Sequence, residues 1–290
     1  MTSPLEASTY QGDLGWWEMA SRPARPRLRA HAHGYTGYRE ETALPLRRRE
    51  VPSSKVPLII SFGAPIRLAM PGDPGRDPAT FTSFLAGPHD RAVLTEHAGT
   101  QYGVQVDLTP LGAYAMLGTP MRELTNAAVG LIDLLGNPAE KLTARLAESV
   151  TWEARFTLLD EVLTAWVDAG PTPSPPVAWA WRRLRQAEGH VSIGRLADEV
   201  GWSRRHLVAR FHEQVGLPPK TMARVLRFQR ALRMLTEPAP RPLVDVAVAS
   251  GYYDQAHFNR DFREFAGCAP TDYLAARLPD GAGVAGVVGV

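Results

Sequence analysis

The chain has 290 residues, a formal net charge of +2 and one cysteine. Its length favours about two domains, and the single Cys268 excludes an internal disulfide framework and a four-thiolate zinc site. No apolar run approaches the ~20 residues of a membrane span, and the N-terminus lacks a signal-peptide pattern. We therefore expect a cytoplasmic protein without a membrane anchor.

The N-terminal part changes from β-prone to helical character. Between residues 27 and 118, glycines and prolines separate short β-prone runs at 57–62, 81–85 and 103–108, which predicts a small antiparallel sheet or barrel. From 125 to 169, apolar residues at intervals of three and four predict helices, with a break at Gly136, Asn137 and Pro138. Residues 1–170 are thus predicted to form an α+β domain.

A proline-rich segment follows this domain. Residues 171–176 contain four prolines, which favour an extended, semi-stiff spacer. It separates the first domain from a second one, predicted at 177–278. Residues 279–290 are mostly glycine, alanine and valine and are predicted to be a disordered tail.

The second domain contains an internal repeat. Ala197 and Gly201 recur 50 residues later as Ala247 and Gly251, and beyond the glycine the offset is 51. At that offset the second copy repeats the apolar, glycine and proline positions of the first: Leu207, Phe211, Gly216 and Pro219 recur as Phe258, Phe262, Gly267 and Pro270. Each copy predicts a helix-turn-helix, in which the alanine permits close crossing and glycine supplies positive φ. Two such units can enter successive major grooves of DNA.

Charge supports this interpretation. Residues 1–176 hold 16 Lys and Arg against 19 Asp and Glu, whereas residues 177–290 hold 16 against 11. The positive charge therefore lies with the repeat, where phosphate contacts would need it.

The repeat also carries a family resemblance. The run from Gly251 to Arg263, followed by Gly267, Pro270 and Tyr273, resembles the DNA-binding domain of the AraC/XylS transcription regulators. The first copy is similar to that family's first motif, and Arg227, Ala231 and Leu235 fit its linker helix: the resemblance covers residues 178–276. Leu274 departs from the arginine usual there. The resemblance implies a regulator that binds double-stranded promoter DNA, and the N-terminal part resembles, more loosely, the family's sensor and dimerisation domains.

Helical geometry, together with the positions that the family resemblance implies for base contact (Arg205, Val208 and Ala209), selects candidate DNA-binding residues. The apolar residues of each copy must face the core, which leaves the opposite face of each second helix to contact DNA. This predicted set is Ser203, Arg204, Arg205, Val208 and Ala209 in the first copy, and Gln255, Ala256, Asn259, Arg260 and Arg263 in the second. Arginine suits guanine, glutamine suits adenine, and Val208 and Ala209 offer only apolar contact, for example to a thymine methyl. The alternative is an ordinary solvated helix face.

Other polar residues of the repeat have structural alternatives. Ser203 and Asp254 are suited to cap the N-termini of their helices. The equivalent His206 and His257 contact either phosphate or a neighbouring helix. The linker-helix arginines, Arg227, Arg230 and Arg233, either contact phosphates or form a solvated basic face.

A metal-binding, cupin-like enzyme domain is the alternative function for the N-terminal part. His31, His33 and Glu40, with His89 or His97, are the residue types of a small-barrel metal site, but their spacing matches one only loosely, and surface histidines in loops are the preferred explanation. A fused DNA-repair methyltransferase would need a reactive cysteine in its own domain, but Cys268 follows the second copy. Without a phosphate-binding glycine loop or a nucleophile elbow, we predict no enzyme, cofactor or metal.

The remaining expectations concern ligands and partners. Aromatic residues of the N-terminal domain could line an effector pocket or form plain core: Trp16, Trp17, Tyr35, Tyr38, Phe62, Phe81, Phe84, Tyr102 and Tyr114. Apolar residues over 125–169 exceed what a short helix pair needs to cover a sheet, which predicts a homodimer interface. RNA polymerase is a further expected partner. The sequence leaves open the effector, and whether the protein activates or represses.

Overall fold

The computed structural model describes residues 4–69, 78–239 and 241–277, together with the backbone of 284–285. The strands are β1 (Glu6–Gly12), β2 (Gly15–Pro23), β3 (Ala32–Thr42), β4 (Leu46–Glu50), β5 (Val56–Ser61), β6 (Ile66–Ala69), β7 (Ala79–Phe81), β8 (Phe84–Ala86), β9 (Val93–His97), β10 (Thr100–Leu108), β11 (Ala128–Gly130) and β12 (Val284–Ala285). Helices of the N-terminal part are α1 (Pro110–Leu117), α2 (Leu131–Leu135), α3 (Asn137–Glu148) and α4 (Trp152–Ala169). None of the helices in the described ranges is both long and apolar enough to cross a membrane.

The strands in the described ranges form two antiparallel sheets that do not close into a barrel. The larger sheet has the order β1-β2-β3-β10-β5-β8-β11, and the smaller sheet has the order β12-β4-β9-β6-β7. The predicted α+β class is therefore confirmed, in its open-sheet form. The tail predicted over 279–290 lies outside the described residues, apart from the backbone of β12.

The two faces of the larger sheet differ because side chains alternate along its central strand β10. Val104, Val106 and Leu108 point to one face and are buried under the helices. Gln101 and Asp107 belong to the other face, which lines a cavity toward the smaller sheet. Because this face of the larger sheet carries polar side chains, apolar side chains do not fill the space between the two sheets completely.

An ion-pair network holds α4 against the larger sheet. Arg22 is 2% exposed and donates to Asp160 at 2.5 Å, and Tyr35 donates to the other oxygen of Asp160 at 2.7 Å. Arg22 also contacts Glu153 at 2.6 Å. Because the charges are paired and hydrogen-bonded, their burial is tolerated.

Two predicted elements of this domain differ in detail. The run 81–85 is split, because Phe81 pairs with Ile66 in the smaller sheet whereas Phe84 pairs with Ile59 in the larger. The chain therefore crosses between the sheets at 82–83. The helical region begins at Leu131 rather than at 125, since residues 128–130 form β11. The predicted helix break falls at Gly136, which lies between α2 and α3 and has a φ of 59°.

The C-terminal part is all helical, as predicted. Its helices are α5 (Pro175–Gln186), α6 (Ile193–Glu199), α7 (Arg204–Val215), α8 (Pro219–Leu235), α9 (Leu243–Ala249), α10 (Gln255–Ala266) and α11 (Pro270–Ala275). Helices α6 and α7 form the first copy, α9 and α10 form the second, and α8 links them. The expected extended spacer ends at Ser174, because Pro175 and Pro176 occupy the first turn of α5, where the missing N–H costs nothing.

The two domains are in direct contact rather than held apart by the spacer. Leu111 of α1 and Val51 pack into the apolar core of the C-terminal domain. The Ser174 amide donates to Gln214 of α7 at 2.9 Å, and the Ser54 amide donates to Gln229 of α8 at 3.1 Å. The segment before α5 is therefore fastened to the helical domain, so it does not act as a free spacer.

The apolar residues that predicted a homodimer interface are used within the protomer. Leu131, Leu142, Leu146, Leu158, Leu159 and Leu163 are buried, and Leu134, Leu135 and Val162 pack against the same core. The nine residues on which the predicted surplus was based are therefore not available to a partner, although Ile132 and Val150 of the same region are exposed. Dimerisation itself stays a prediction.

Candidate nucleic-acid interface

The two helix-turn-helix copies close their turns with the same hydrogen bond. The amide of Trp202 donates to Ala197 O, and the amide of Tyr252 donates to Ala247 O, both at 3.0 Å. The turn glycines have φ of 70° at Gly201 and 79° at Gly251. These values lie in the left-handed region that glycine enters without a Cβ penalty, which confirms the predicted role of both glycines.

The second helix of each copy, α7 and α10, begins with the predicted cap. Ser203 Oγ accepts from the amide of His206 at 3.2 Å, and Asp254 Oδ1 accepts from the amide of His257 at 2.7 Å. The histidine rings pack edge-on to aromatic rings: His206 on Trp202, with centroids 4.4 Å apart, and His257 on Tyr252 at 5.2 Å. Both histidines therefore pack within their own copy, and phosphate contact by the exposed His206 stays a prediction.

The buried faces of α7 and α10 are the faces predicted from the repeat. Leu207, Phe211, Phe258 and Phe262 are fully buried. Ala197 and Ala247 are also buried at the helix crossings. Since four buried residues fix the rotation of both helices about their axes, the opposite faces are directed outward.

On α7 the predicted DNA-facing residues are accessible. Ser203, Arg204, Arg205 and Ala209 are exposed, and Val208 is partly buried. Two adjacent arginines at the start of α7 combine with the positive end of the helix dipole to favour an anion there. This arrangement suits a helix whose N-terminal turn contacts DNA.

On α10 the predicted set divides. Ala256, Arg260 and Arg263 are exposed, whereas Gln255 and Asn259 are partly buried. The Oδ1 atom of Asn259 is buried and has no hydrogen-bond partner among the described residues. Gln255 and Asn259 are therefore less accessible than expected for residues that face DNA, and their contact with DNA stays a prediction.

The linker-helix arginines are occupied by contacts within the domain. Arg230 and Arg233 both bind the carboxylate of Glu188, and Arg227 donates to Gly189 O at 3.3 Å. All three contacts join α8 to the turn between α5 and α6. These arginines therefore hold α8 against the turn that leads into the first copy, and phosphate contact by them stays a prediction.

The sequence analysis did not single out Arg224, which joins α8 to α10. Its guanidinium donates to Asp261 at 3.0 and 3.3 Å and to Glu264 at 2.9 and 2.5 Å. It also lies 4.9 Å from the centroid of the Phe265 ring. Asp261 and Glu264 are three residues apart on α10 and so share a face, which is the signal that could have revealed the pairing.

The C-terminal ends of α7 and α10 contact the N-terminal domain. Arg49 of β4 donates to Ala266 O, at the end of α10, at 2.8 Å. Thr125 donates to the carbonyl of Gly216, which caps α7, at 2.5 Å. Pro88 also lies against Gly216, since a Cβ added there would be 2.6 Å from its ring. The N-terminal domain is thus placed to influence both helices.

A cavity of about 560 Å³ lies between the two sheets of the N-terminal domain. Of the nine aromatic residues considered from the sequence, Tyr38, Phe81 and Phe84 line it. Tyr35 belongs to the core under the helices, and Phe62 packs against that core. Tyr273 of α11 and Arg49 also line the cavity. The cavity wall therefore includes a residue of the C-terminal domain and, in Arg49, a residue that contacts α10.

The candidate metal-ligand residues of the N-terminal domain are not arranged as a metal site in the described part of the chain. His97 Nε2 lies 3.2 Å from Glu40, which Arg48 also binds at 2.9 Å, so that carboxylate is engaged in an ion pair. Within the described ranges, no group of three His, Cys, Asp or Glu side chains could hold a metal. Cys268 is partly buried, and burial raises the pKa of its thiol, which disfavours the thiolate that a methyltransferase nucleophile requires.

Comparison with known proteins locates the similarity in this C-terminal domain. Residues 196–276 match the family model of a helix-turn-helix domain. The uncharacterized HTH-type transcriptional regulator YbfI of Bacillus subtilis is 32% identical over 107 residues, which are 34% of this chain and 38% of YbfI. The HTH-type transcriptional regulator MtrA of Neisseria gonorrhoeae is 28% identical over 90 residues, 31% of this chain and 30% of MtrA. The chain thus spans less than two fifths of the length of either relative.

Solved structures give two further similarities. ToxT from Vibrio cholerae covers 83% of this chain and 97% of its own, at 12% identity and a TM-score of 0.48. The DNA-binding domain of AdpA, solved in complex with a target DNA, covers 36% of this chain and 93% of its own, at 27% identity and a TM-score of 0.32.

The family match and the duplicated geometry define the class of this domain. The C-terminal part of the chain is a helix-turn-helix domain of the AraC type.

Proposed function

We propose that the protein is a sequence-specific DNA-binding transcription regulator. Helices α7 and α10 read two adjacent major-groove segments of promoter DNA. The observation that carries this proposal is the duplicated helix-turn-helix, matched over 196–276, in which each copy buries its apolar face and presents arginines on the other. Because α8 joins both copies through ion pairs, they would meet DNA as one body, about one helical turn apart.

Base reading is tested with Arg260→Ala. Arg260 is exposed on α10, and loss of a bidentate guanine contact would cost about 1–3 kcal/mol and relax the preference at one base pair. Binding of the full chain to an operator selected from random DNA, and to scrambled DNA, is measured by fluorescence anisotropy at fixed salt. Arg67→Ala in the N-terminal domain is the control and should change neither affinity. Equal losses on both DNAs would contradict base reading.

Footprinting tests the two-segment arrangement. One protomer should protect two patches on the same face of the duplex, about one turn apart. Phe262→Asp should remove the patch of α10 and weaken the other, because the two copies share one apolar core. An intact α7 patch with unchanged affinity, in a variant that circular dichroism shows to be folded, would make the readers independent.

Modulation by a small-molecule effector is the second part of the proposal. The cavity between the sheets and the contacts from Arg49 and Thr125 to the ends of α10 and α7 support it. A ligand that shifts these contacts has a short path to both reading helices. Operator affinity measured with and without a bound ligand tests this part.

Further parts of the proposal concern assembly and location. We propose a cytoplasmic, nucleoid-associated regulator without enzymatic activity, organised as domains 1–170 and 177–278, that binds DNA as a homodimer and contacts RNA polymerase. Linked binding at adjacent half-sites would raise affinity through effective concentration. Sedimentation of the full chain with and without operator DNA tests the dimer. A monomer under both conditions would remove it.

A further inference from the structure

The charges around the inter-sheet cavity compensate one another. Among the described lining residues, the cations are Arg48, Arg49 and Lys55, and the carboxylates are Glu40, Glu50 and Asp107. Lys55 lies 2.5 Å from Asp107, and Arg48 binds Glu40 at 2.9 Å. Arg49 donates to the carbonyl of Ala266 at 2.8 Å. These three cations and three carboxylates sum to zero, so they give no net charge to offset that of a buried charged ligand, whose desolvation is costly.

The smaller sheet and the crossing at 82–83 supply an apolar wall. Ile59, Leu68 and Phe84 form a small core cluster beside the cavity, with Ile66 and Phe81 packed against it. The rings of Phe81 and Phe84 have centroids 5.5 Å apart. The volume of about 560 Å³ lies within the usual range for small-molecule sites. These walls suit an apolar body, including an aromatic ring.

Two polar groups on the larger-sheet side have no hydrogen-bond partner among the residues that the structure describes. Gln101 is 2% exposed and its Nε2 donates to Ala64 O at 3.0 Å, but its Oε1 has no hydrogen-bond partner in the described part of the chain. The hydroxyl of Tyr38, also in the cavity lining, is likewise buried and unpartnered there. It lies against Gly103, whose missing Cβ would come within 2.7 Å of it. Buried polar atoms without partners are rare and call for an explanation.

We propose that the cavity binds an uncharged, mainly apolar molecule of the phenol or alcohol class. Its hydroxyl donates to Gln101 Oε1 and accepts from the hydroxyl of Tyr38, while its apolar body lies along Phe81, Phe84 and Leu68. The inference deepens the proposed function, since it assigns the chemical class of the effector. Its ligand-binding part can be tested without DNA.

The test compares three probes that share one apolar body. 4-Pentylphenol is neutral and donates a hydrogen bond, 4-pentylanisole is neutral without a donor, and 4-pentylbenzoate is an anion. Calorimetric titration of the full chain should give the tightest binding for the phenol. We expect the anisole to bind about tenfold more weakly, because Gln101 Oε1 stays unpaired, and the benzoate more weakly again.

Two variants assign the binding to this cavity. Gln101→Leu should bring the phenol and anisole affinities to within about twofold of each other, since the acceptor is gone. Leu68→Trp should abolish binding of all three probes by filling the space. Circular dichroism and operator binding of each variant confirm folding, and the probe ranking on the unmodified chain stands even where a variant fails to fold.

The outcomes separate the inference from the proposed function. Benzoate binding equal to or tighter than phenol binding, or no probe binding by the folded chain, would overturn the inference while leaving DNA binding untouched. A chain that ranks the probes as expected but binds no selected operator would overturn the proposed function and support the ligand class alone.

Discussion

The contact of Arg224 with α10 allows a quantitative test of how the second reading helix is held. Asp261 has a side chain only 6% exposed, whereas the side chain of Arg224 is 26% exposed and that of Glu264 is 53% exposed. Arg224→Met keeps most of the stem over Phe265 but leaves the Asp261 carboxylate buried without its cation. Breaking a fully buried pair costs about 3–5 kcal/mol. Because water reaches Arg224, we expect about 2 kcal/mol here.

The double-mutant cycle isolates this pair. Asp261→Asn in the Arg224→Met background should cost less than in the wild type, with a coupling energy of about 1–2 kcal/mol. Glu264→Gln, the matched control at an exposed carboxylate, should cost less than about 1 kcal/mol. Urea denaturation gives the unfolding free energies, and hydrogen exchange of the α10 amides assigns the loss to this helix.

The same variants report on function. If Arg224 positions α10, Arg224→Met should weaken operator binding more than binding to scrambled DNA. A change in unfolding free energy below about 0.5 kcal/mol, with a coupling energy near zero, would refute the reasoning: the apolar core alone would then hold α10.

Three further predictions address pH, the turns and domain contact. Burial lowers the pKa of His31, His33 and His89 below the usual value of 6.5, so the unfolded state binds more protons than the folded state. The unfolding free energy should therefore fall as pH drops below 6.5, by at most ~1.4 kcal/mol per pH unit for each histidine. In denaturation experiments at a series of pH values, His89→Phe should make this decline shallower, and an unchanged slope would exclude His89 as a contributor. Gly201→Ala should cost about 1–2 kcal/mol because of its positive φ, with nothing within 4 Å of the added Cβ. Gly251→Ala should cost at least as much, because its added Cβ would also overlap the Nε2 atom of His190. Gly194→Ala, which also meets nothing within 4 Å, should be neutral or stabilising in the same assay; a loss there equal to that at Gly201 would contradict the assignment to φ. Thr125→Val removes the hydrogen bond to Gly216 O and should weaken the contact between the domains by about 1 kcal/mol. The expected readout is faster proteolysis at 171–174. Unchanged proteolysis would show that the apolar contacts alone hold the domains together.

Local sequence determined the DNA-binding domain almost completely. The 50- and 51-residue offsets placed both helix-turn-helix copies, and the residue types specified the caps at Ser203 and Asp254 and the buried sides of α7 and α10. These features depend on neighbours within a few residues, because capping, helical periodicity and positive φ are local properties. The exceptions are the linker-helix arginines, whose partners Glu188 and Gly189 belong to another segment of the chain, and Gln255 and Asn259, which are less exposed than expected.

Tertiary structure alone decided the features that join distant segments. Arg224 meets Asp261 across 37 residues, and Arg49 meets Ala266 across 217. The cavity arises because the chain crosses between sheets after Phe81, a choice of strand partner that a short apolar run does not encode. Likewise, the sequence does not show whether the leucines of 125–169 pack on their own chain or on a second protomer, because this depends on the apolar surface that the rest of the fold offers them. In the structure they pack within one chain.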